Sequence, residues 1–372
     1  MTPYFRYPVI LISVTLILLL ISKPSNAEEN KIPISWGFFI DSQYAYDLNS
    51  PASGDRAFTT QAARNNEFNI NLAHVEAKID ENKLRARFAL QVGTSVQRNY
   101  SSEPTNGSVS GGDLSRHIQE ARIGFKISEK TWIDAGIFFA HVGAETWISK
   151  DNITLTRSFV ADYSPYYLSG LKINHKFSDR LTAQVLVTNG WQNISENNKD
   201  KNIGTSIEYS SKYFSLAYNT LIGREISGDL NSVPRSSQFR HFHDFIIKSI
   251  NTKSVEWIAQ FDIGFQNKPI DSPPSKWYGT SLMLRYKLNE NQKVSFRFEQ
   301  FRDDDQIVLV TEVPNSLNII GGSIGFDHQF DKNLFWRNEV RYLKATENVF
   351  PKELNEIADS NLTFITSLAF NF

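Results

Sequence analysis

Apolar and polar residues alternate with a period of two along most of this chain. At the C-terminus Leu362, Phe364, Thr366, Leu368, Phe370 and Phe372 share one face of an extended segment. Thr363, Ser367 and Asn371 share the other, with Ile365 and Ala369 between them. Near the start Trp36, Phe38, Ile40, Ser42, Tyr44 and Tyr46 line one face, and Asp41, Gln43 and Asp47 the opposite one. Leu84, Ala86, Phe88, Leu90 and Val92 repeat the pattern against Arg85, Arg87 and Gln91. Such alternation predicts strands with one apolar and one polar face. From Phe68, Ile70 and Leu72 to Val75, Ala77 and Ile79 the phase changes at His74–Val75, which predicts a bulge there.

Two kinds of punctuation separate these segments. Short turns fall near Asp80-Glu81-Asn82, Ser128-Glu129-Lys130, Ser178-Asp179-Arg180, Ser210-Ser211-Lys212, Asn251-Thr252-Lys253, Asn289-Glu290-Asn291 and Asp331-Lys332-Asn333. Longer polar segments lie between them: one ending about Asn66, then 101–112, 143–164, 193–202, 224–237, 267–275, 303–315 and 347–358. Counting strands between these marks gives roughly 16, an even number with both ends on one side, as in transmembrane barrels. The predicted fold is all-β: a transmembrane antiparallel up-and-down β-barrel with short periplasmic turns and long outer loops. A terminal aromatic such as Phe372 is typical of the closing strand of a bacterial outer-membrane barrel.

The other end agrees. Arg6 sits in a short basic leader, residues 9–21 are mainly apolar, and Ser25-Asn26-Ala27 is a small-residue cleavage site. The expected organisation is a signal peptide over 1–27 and a single barrel over 28–372. No later stretch stays apolar for the ~20 residues of a spanning helix. The formal net charge of −1 offers nothing to nucleic acid. The absence of Cys excludes disulfides and thiolate metal sites. The abundance of Phe (27) and Tyr (14) suits a barrel, where alternate residues meet lipid and aromatic girdles mark the interfaces.

A barrel of about 16 strands is too wide for its side chains to fill, which predicts a watery lumen. The inward positions fit: Lys172, Asn174 and Lys176 opposite Tyr167, Leu171 and Ile173; Glu256, Gln260 and Asp262 opposite Trp257, Ala259 and Phe261. Arg297 and Glu299 stand opposite Phe296 and Phe298. Arg337, Glu339 and Arg341 stand opposite Trp336, Val340 and Tyr342.

The third long loop carries the most specific signal. Phe138-Phe139 precedes Val142-Gly143-Ala144-Glu145; Asp151-Asn152 and Thr156-Arg157-Ser158-Phe159 follow, and Pro165-Tyr166-Tyr167 and Ser169-Gly170 close the stretch. It resembles the OmpL-like β-barrel porin family of bacterial outer membranes. The resemblance implies a barrel and a diffusion pore, without a known substrate. In general porins the third outer loop folds into the channel and sets its narrowest point, and the resemblance implies the same of 143–164. Glu145, Asp151 and Arg157 would face an inward wall of Arg85, Arg87 and Arg122, orienting dipolar solutes and screening ions. Arg297, Glu299, Arg337 and Arg341 would line the lumen. A structural alternative pairs Arg157 with Asp151 to fix the loop on the wall; both roles are compatible.

Catalytic and metal chemistry is weakly signalled. His141, His241 and His243 accompany many Ser residues, but no spacing singles out a nucleophile. His241 and His243 share a strand face and form a conceivable but poor metal pair. Asp303-Asp304-Asp305 reads as a solvated loop that could hold Ca²⁺ or a lipopolysaccharide-bridging cation weakly. No cofactor is expected. The leading reading is a porin passing small hydrophilic solutes and ions by diffusion, leaning to anions. Its partners would be outer-membrane lipids, lipopolysaccharide and its solutes, with a homotrimer by analogy. The alternatives are a surface adhesin or receptor on a barrel, a barrel-borne hydrolase, and a soluble exported β protein.

Overall fold

The computed structural model describes residues 32–105, 108–225, 239–268, 273–311 and 317–372. The expected signal peptide at 1–27 lies outside the described residues, as do parts of the outer loops at 106–107, 226–238, 269–272 and 312–316. Sixteen antiparallel strands close into one barrel. In chain order they are β1 (Ser35–Asp47), β2 (Glu67–Asp80), β3 (Leu84–Val92), β4 (Ile118–Ser128), β5 (Thr131–Phe139), β6 (Tyr167–Lys176), β7 (Leu181–Thr188) and β8 (Asn202–Ser210). There follow β9 (Phe214–Arg224), β10 (Phe239–Ser249), β11 (Val255–Gln266), β12 (Ser275–Lys287), β13 (Gln292–Asp303), β14 (Leu317–Gln329), β15 (Leu334–Ala345) and β16 (Ser360–Asn371). Each pairs with its sequence neighbours, and β16 closes on β1 from Phe39↔Asn371 to Asp47↔Thr363. Closure pairs every edge, which is what lets a sheet cross a membrane. All the short turns read from the sequence join strands at one end; all the long segments lie at the other.

Alternation decides which side each residue takes. On β16 Phe364, Leu368 and Phe370 are exposed to the outside, while Thr363, Ile365, Ser367 and Ala369 are buried inside. Phe177, Tyr213, Tyr286, Phe330 and Phe372 are exposed at the short-turn end and form an aromatic girdle there. The terminal Phe372 stacks on Phe38 with ring centroids 5.8 Å apart.

Two local features bend the wall. The bulge in β2 is at Asn71, not at His74–Val75: Asp41 pairs with Leu72 while Ser42 pairs with Ile70. Leu72 therefore turns inward and is fully buried, contrary to its predicted outward face. The cause is the Asn71 amide, which donates to Asp41 (3.2 Å) and accepts from the Ala62 amide (3.1 Å), drawing an extra residue into the interior. On β5 and β6, Gly136 and Gly170 are cross-strand partners. Gly136 has φ +125°, and a Cβ on Gly170 would lie 2.1 Å from the Val187 carbonyl oxygen.

The interior is more apolar than the sequence suggests. Phe138, Leu186, Leu221, Phe242, Trp277, Phe301, Ile319 and Leu343 come from the wall and pack with Phe159 and Val160 of the third outer loop. Phe39, Leu72 and Ala369 pack with Trp147, Ile148 and Tyr166 of the same region. At the level of this loop the barrel holds a packed core rather than the open aqueous interior expected. Tyr167, read as lipid-facing, is buried, stacked on Tyr100 at 4.3 Å, and donates to Glu103 (2.8 Å).

Candidate functional site

The loop between β5 and β6 enters the barrel and is tied to the side of the wall that runs from β10 round to β1. At its start the Gly143 amide donates to Asp244 on β10 (2.7 Å) and the Ala144 amide to Gln260 on β11 (3.0 Å). Ser149 donates to Asp41 on β1 (2.8 Å). Asp162, near its end, accepts from Thr60 of the first loop (2.7 Å) and from Tyr166 (2.7 Å).

Its middle is held by a buried ionic cluster on β13 and β15. Arg297 donates to the Thr154 hydroxyl (2.9 Å), the Thr156 carbonyl (2.6 Å) and the Thr156 hydroxyl (3.0 Å). Glu339 accepts from the Thr156 amide (2.6 Å) and hydroxyl (2.8 Å). Glu299 accepts from the Phe159 amide (2.9 Å) at a one-turn helix capped by Ser158. Within the cluster Arg297 pairs with Glu339 (2.8 Å) and Glu299 (3.2 Å), and Arg341 with Glu299 (2.8 Å). These four side chains are at most 2% exposed. Arg337 donates to the carbonyls of Asn152 and Ile153 (3.2 Å each) and of Ser149, and Arg285 to that of Asn152. Buried charges of both signs, each with hydrogen-bonding partners, are the condition under which such a cluster holds a backbone in place.

The structure brings Arg297, Glu299, Arg337 and Arg341 to the loop, as wall residues that hold it. It does not set the loop's acids against Arg85, Arg87 and Arg122. Glu145 turns back on its own loop and accepts from the Ser158 amide (3.2 Å) and hydroxyl. Asp151 pairs with Lys150 (2.7 Å), not with Arg157. Arg157 lies 3.3 Å over the Tyr166 ring, donates to the Ala161 carbonyl (2.7 Å) and sits 3.7 Å from Asp162. The three wall arginines are matched by wall carboxylates instead. Arg85 reaches Asp134 (2.6 Å) across Gly124, whose missing side chain leaves the room. Arg87 pairs with Glu76 (2.6 Å) and with Glu120; Arg122 lies 3.2 Å from Asp134. Wall carboxylates one strand away, or two strands away across Gly124, take the arginines.

The two walls differ in access. Arg85, Arg87 and Arg122 keep 25%, 16% and 21% of their side-chain surface, where Arg297 keeps none. Sequence reasoning missed Thr154 and Arg285, and gave Thr156 only as part of the stretch that carries the family resemblance. Nothing in a loop's composition tells which strand it will touch, although Arg285 has the inward parity of its strand.

Above the loop lies an outer vestibule of about 570 Å³, bounded by residues of the first, second, third, fourth, fifth and seventh outer loops. It contains Arg98, Arg240, Glu103, Asp162 and Glu225 beside Trp191 and Tyr163. Burial pushes the Glu225 carboxyl above the usual carboxylate range, while Arg240 pulls it back. Two of the histidines weighed as chemical groups are otherwise engaged. His141 is half-buried, with Nε2 2.7 Å from the Thr220 carbonyl. His243 lies 2.9 Å from the Tyr218 hydroxyl, on the lipid side with Phe245. Asp303 does not form a solvated loop: it is buried and accepts from the amides of Ile307 (2.9 Å), Val308 (2.8 Å) and Leu309 (3.0 Å).

Comparison with known proteins adds a family and a set of folds. Residues 33–372 match the family described as "Putative beta-barrel porin-2, OmpL-like". No curated protein sequence matches the chain. Among solved structures, Pseudomonas putida OprB aligns at 10% identity over 91% of this chain and 94% of its own, with a TM-score of 0.61. The anion-selective porin of Comamonas acidovorans aligns at 10% identity over 91% and 99%, TM-score 0.59. Salmonella typhi OmpF aligns at 11% identity over 91% and 97%, TM-score 0.59. At these identities the likeness is one of fold.

Proposed function

The chain belongs to the OmpL-like β-barrel porin family of the outer membrane, and from that premise we propose that it passes small hydrophilic solutes and ions by diffusion, without chemistry. The observation that carries the reading is the third outer loop, folded inside a closed sixteen-stranded wall and clamped by the Arg297–Glu299–Glu339–Arg341 cluster. A loop in that place sets the size of what passes. Solutes move along the less occluded β2–β6 side, where Lys78, Arg85, Arg87, Arg122 and Lys172 outnumber Glu76, Glu120 and Asp134. Like-signed fields in a narrow space select by charge, so the permeability leans weakly to anions.

The test is planar-bilayer conductance of the refolded, detergent-purified protein under a salt gradient. Stepwise openings of uniform size with an anion-favouring reversal potential support the reading. A folded, heat-modifiable barrel without conductance overturns it and favours a surface receptor. A homotrimer with lipopolysaccharide around its rim belongs to the same reading, and light scattering of the detergent complex measures the subunit number.

A further inference from the structure

The outer vestibule is unevenly equipped, with its acceptors engaged and donors left over. Glu103 accepts from the Tyr167 hydroxyl (2.8 Å) and the amides of Ile194 (3.0 Å) and Ser195 (2.7 Å). Glu225 accepts from the Trp191 amide (2.8 Å) and Asn202 (2.6 Å). Asp162 is taken by Thr60 and Tyr166. Arg240 is different. It is 7% exposed, with its guanidinium 4.9 Å from the Trp191 ring and 5.3 Å from that of Trp277. Its Nε donates to Gln266 (2.9 Å), but among the described residues neither terminal nitrogen has a hydrogen-bond partner. The buried Asn99 likewise has an Nδ2 without a partner, and it lines the same cavity.

A guanidinium lying against both rings of a perpendicular indole pair (Trp191 and Trp277, 6.2 Å apart), with its fork free, is a preorganised receptor for a planar oxyanion. Its charge is met at a distance by Glu225 and by Asp303, so one negative charge on a ligand suits the site better than two. Phe58, Ile307, Val308 and Val310 add an apolar side to the cavity. We propose that the vestibule is a binding site for small monocarboxylates with an apolar body, seated with the carboxylate on Arg240 and Asn99. The site deepens the porin reading by naming a solute class at the entrance. Binding itself needs no conduction, so the two fail separately.

The experiment is titration of the detergent-purified full-length protein with sodium benzoate at constant ionic strength, following Trp fluorescence, with Trp191→Phe identifying the reporting residue. Saturable quenching is expected for benzoate but not for benzyl alcohol. Arg240→Gln should weaken it about tenfold or more, the share of a charged hydrogen bond, while Arg240→Lys weakens it less. Asn99→Ala, which spares the guanidinium, serves if Arg240→Gln gives no heat-modifiable barrel; it should weaken benzoate binding severalfold. Equal affinity for benzyl alcohol, absence of saturation, or affinity unmoved by the folded variants overturns the proposal. If benzoate binds while bilayers stay silent, the vestibule stands and diffusion through the barrel falls.

Discussion

Replacing Arg297 by Met removes one charge from a buried set that balances as it stands. Arg297 and Arg341 face Glu299 and Glu339, all of them at most 2% exposed in their side chains. Without Arg297, Glu339 loses its ion-pair partner and Glu299 keeps Arg341. Breaking a buried pair from one side costs about 3–5 kcal/mol, because the stranded charge stays out of water. Glu339 still accepts two hydrogen bonds from Thr156, which puts the expectation near the lower figure, about 3 kcal/mol. That is about two decades in the equilibrium between a clamped and a released 154–159 segment. Single-channel recording should then show larger or strongly flickering openings, and urea unfolding of the detergent-refolded barrel a lower midpoint. The double variant Arg297→Met/Glu339→Gln leaves Arg341 and Glu299 as a balanced pair. It should recover part of the loss, with a coupling of about 1–3 kcal/mol. An Arg297→Met protein with unchanged conductance, noise and midpoint would refute the clamp. A double variant no better than the sum of its parts would refute the charge balance.

Three further outcomes follow from the geometry. Gly170→Ala places a Cβ against the Val187 backbone oxygen, so refolding yield judged by heat-modifiability should fall, with a cost of about 1–3 kcal/mol in any folded product; normal refolding would mean that β6 and β7 separate easily. Arg122→Gln removes a partly exposed cation from the less occluded wall and should move the reversal potential towards cations; no movement would show that ions do not pass along β2–β6. Asp244 and Asp262 face each other across β10 and β11 in a buried register, and Asp244 Oδ1 has no partner among the described residues. Asp262→Asn keeps an oxygen for Gln260, offers a donor to Asp244, and should raise the unfolding free energy by about 1–3 kcal/mol, read as a higher urea midpoint; a lowered midpoint would mean that the pair needs both acids.

The barrel itself was legible because its determinants are local. A lipid-facing position next to a lumen-facing one writes a period of two into every strand, as in Leu84 to Val92. Turns such as Ser178-Asp179-Arg180 mark the short end. The bulge was detectable as a phase change but misplaced, because only the Asn71 bonds to Asp41 and Ala62 decide which residue is extra. The inward face of Arg337, Glu339 and Arg341 was read correctly by parity. Their occlusion was not, since inward Phe242, Trp277 and Phe301 look like faults in a polar pattern until the loop that covers them is in place.

Alternation and turn chemistry act over a few residues, and they suffice for a closed, membrane-crossing strand wall with charged residues inside. Which charges meet is a matter of the folded barrel. Arg85 finds Asp134 across a glycine on the strand between them, and Arg297 finds Thr156 some 140 residues earlier in the chain. Arg240 comes to rest against two tryptophans from different parts of the barrel. Such partners are set by strand register and by the path of a loop through the lumen. No local pattern encodes either, because both depend on closure of the whole wall.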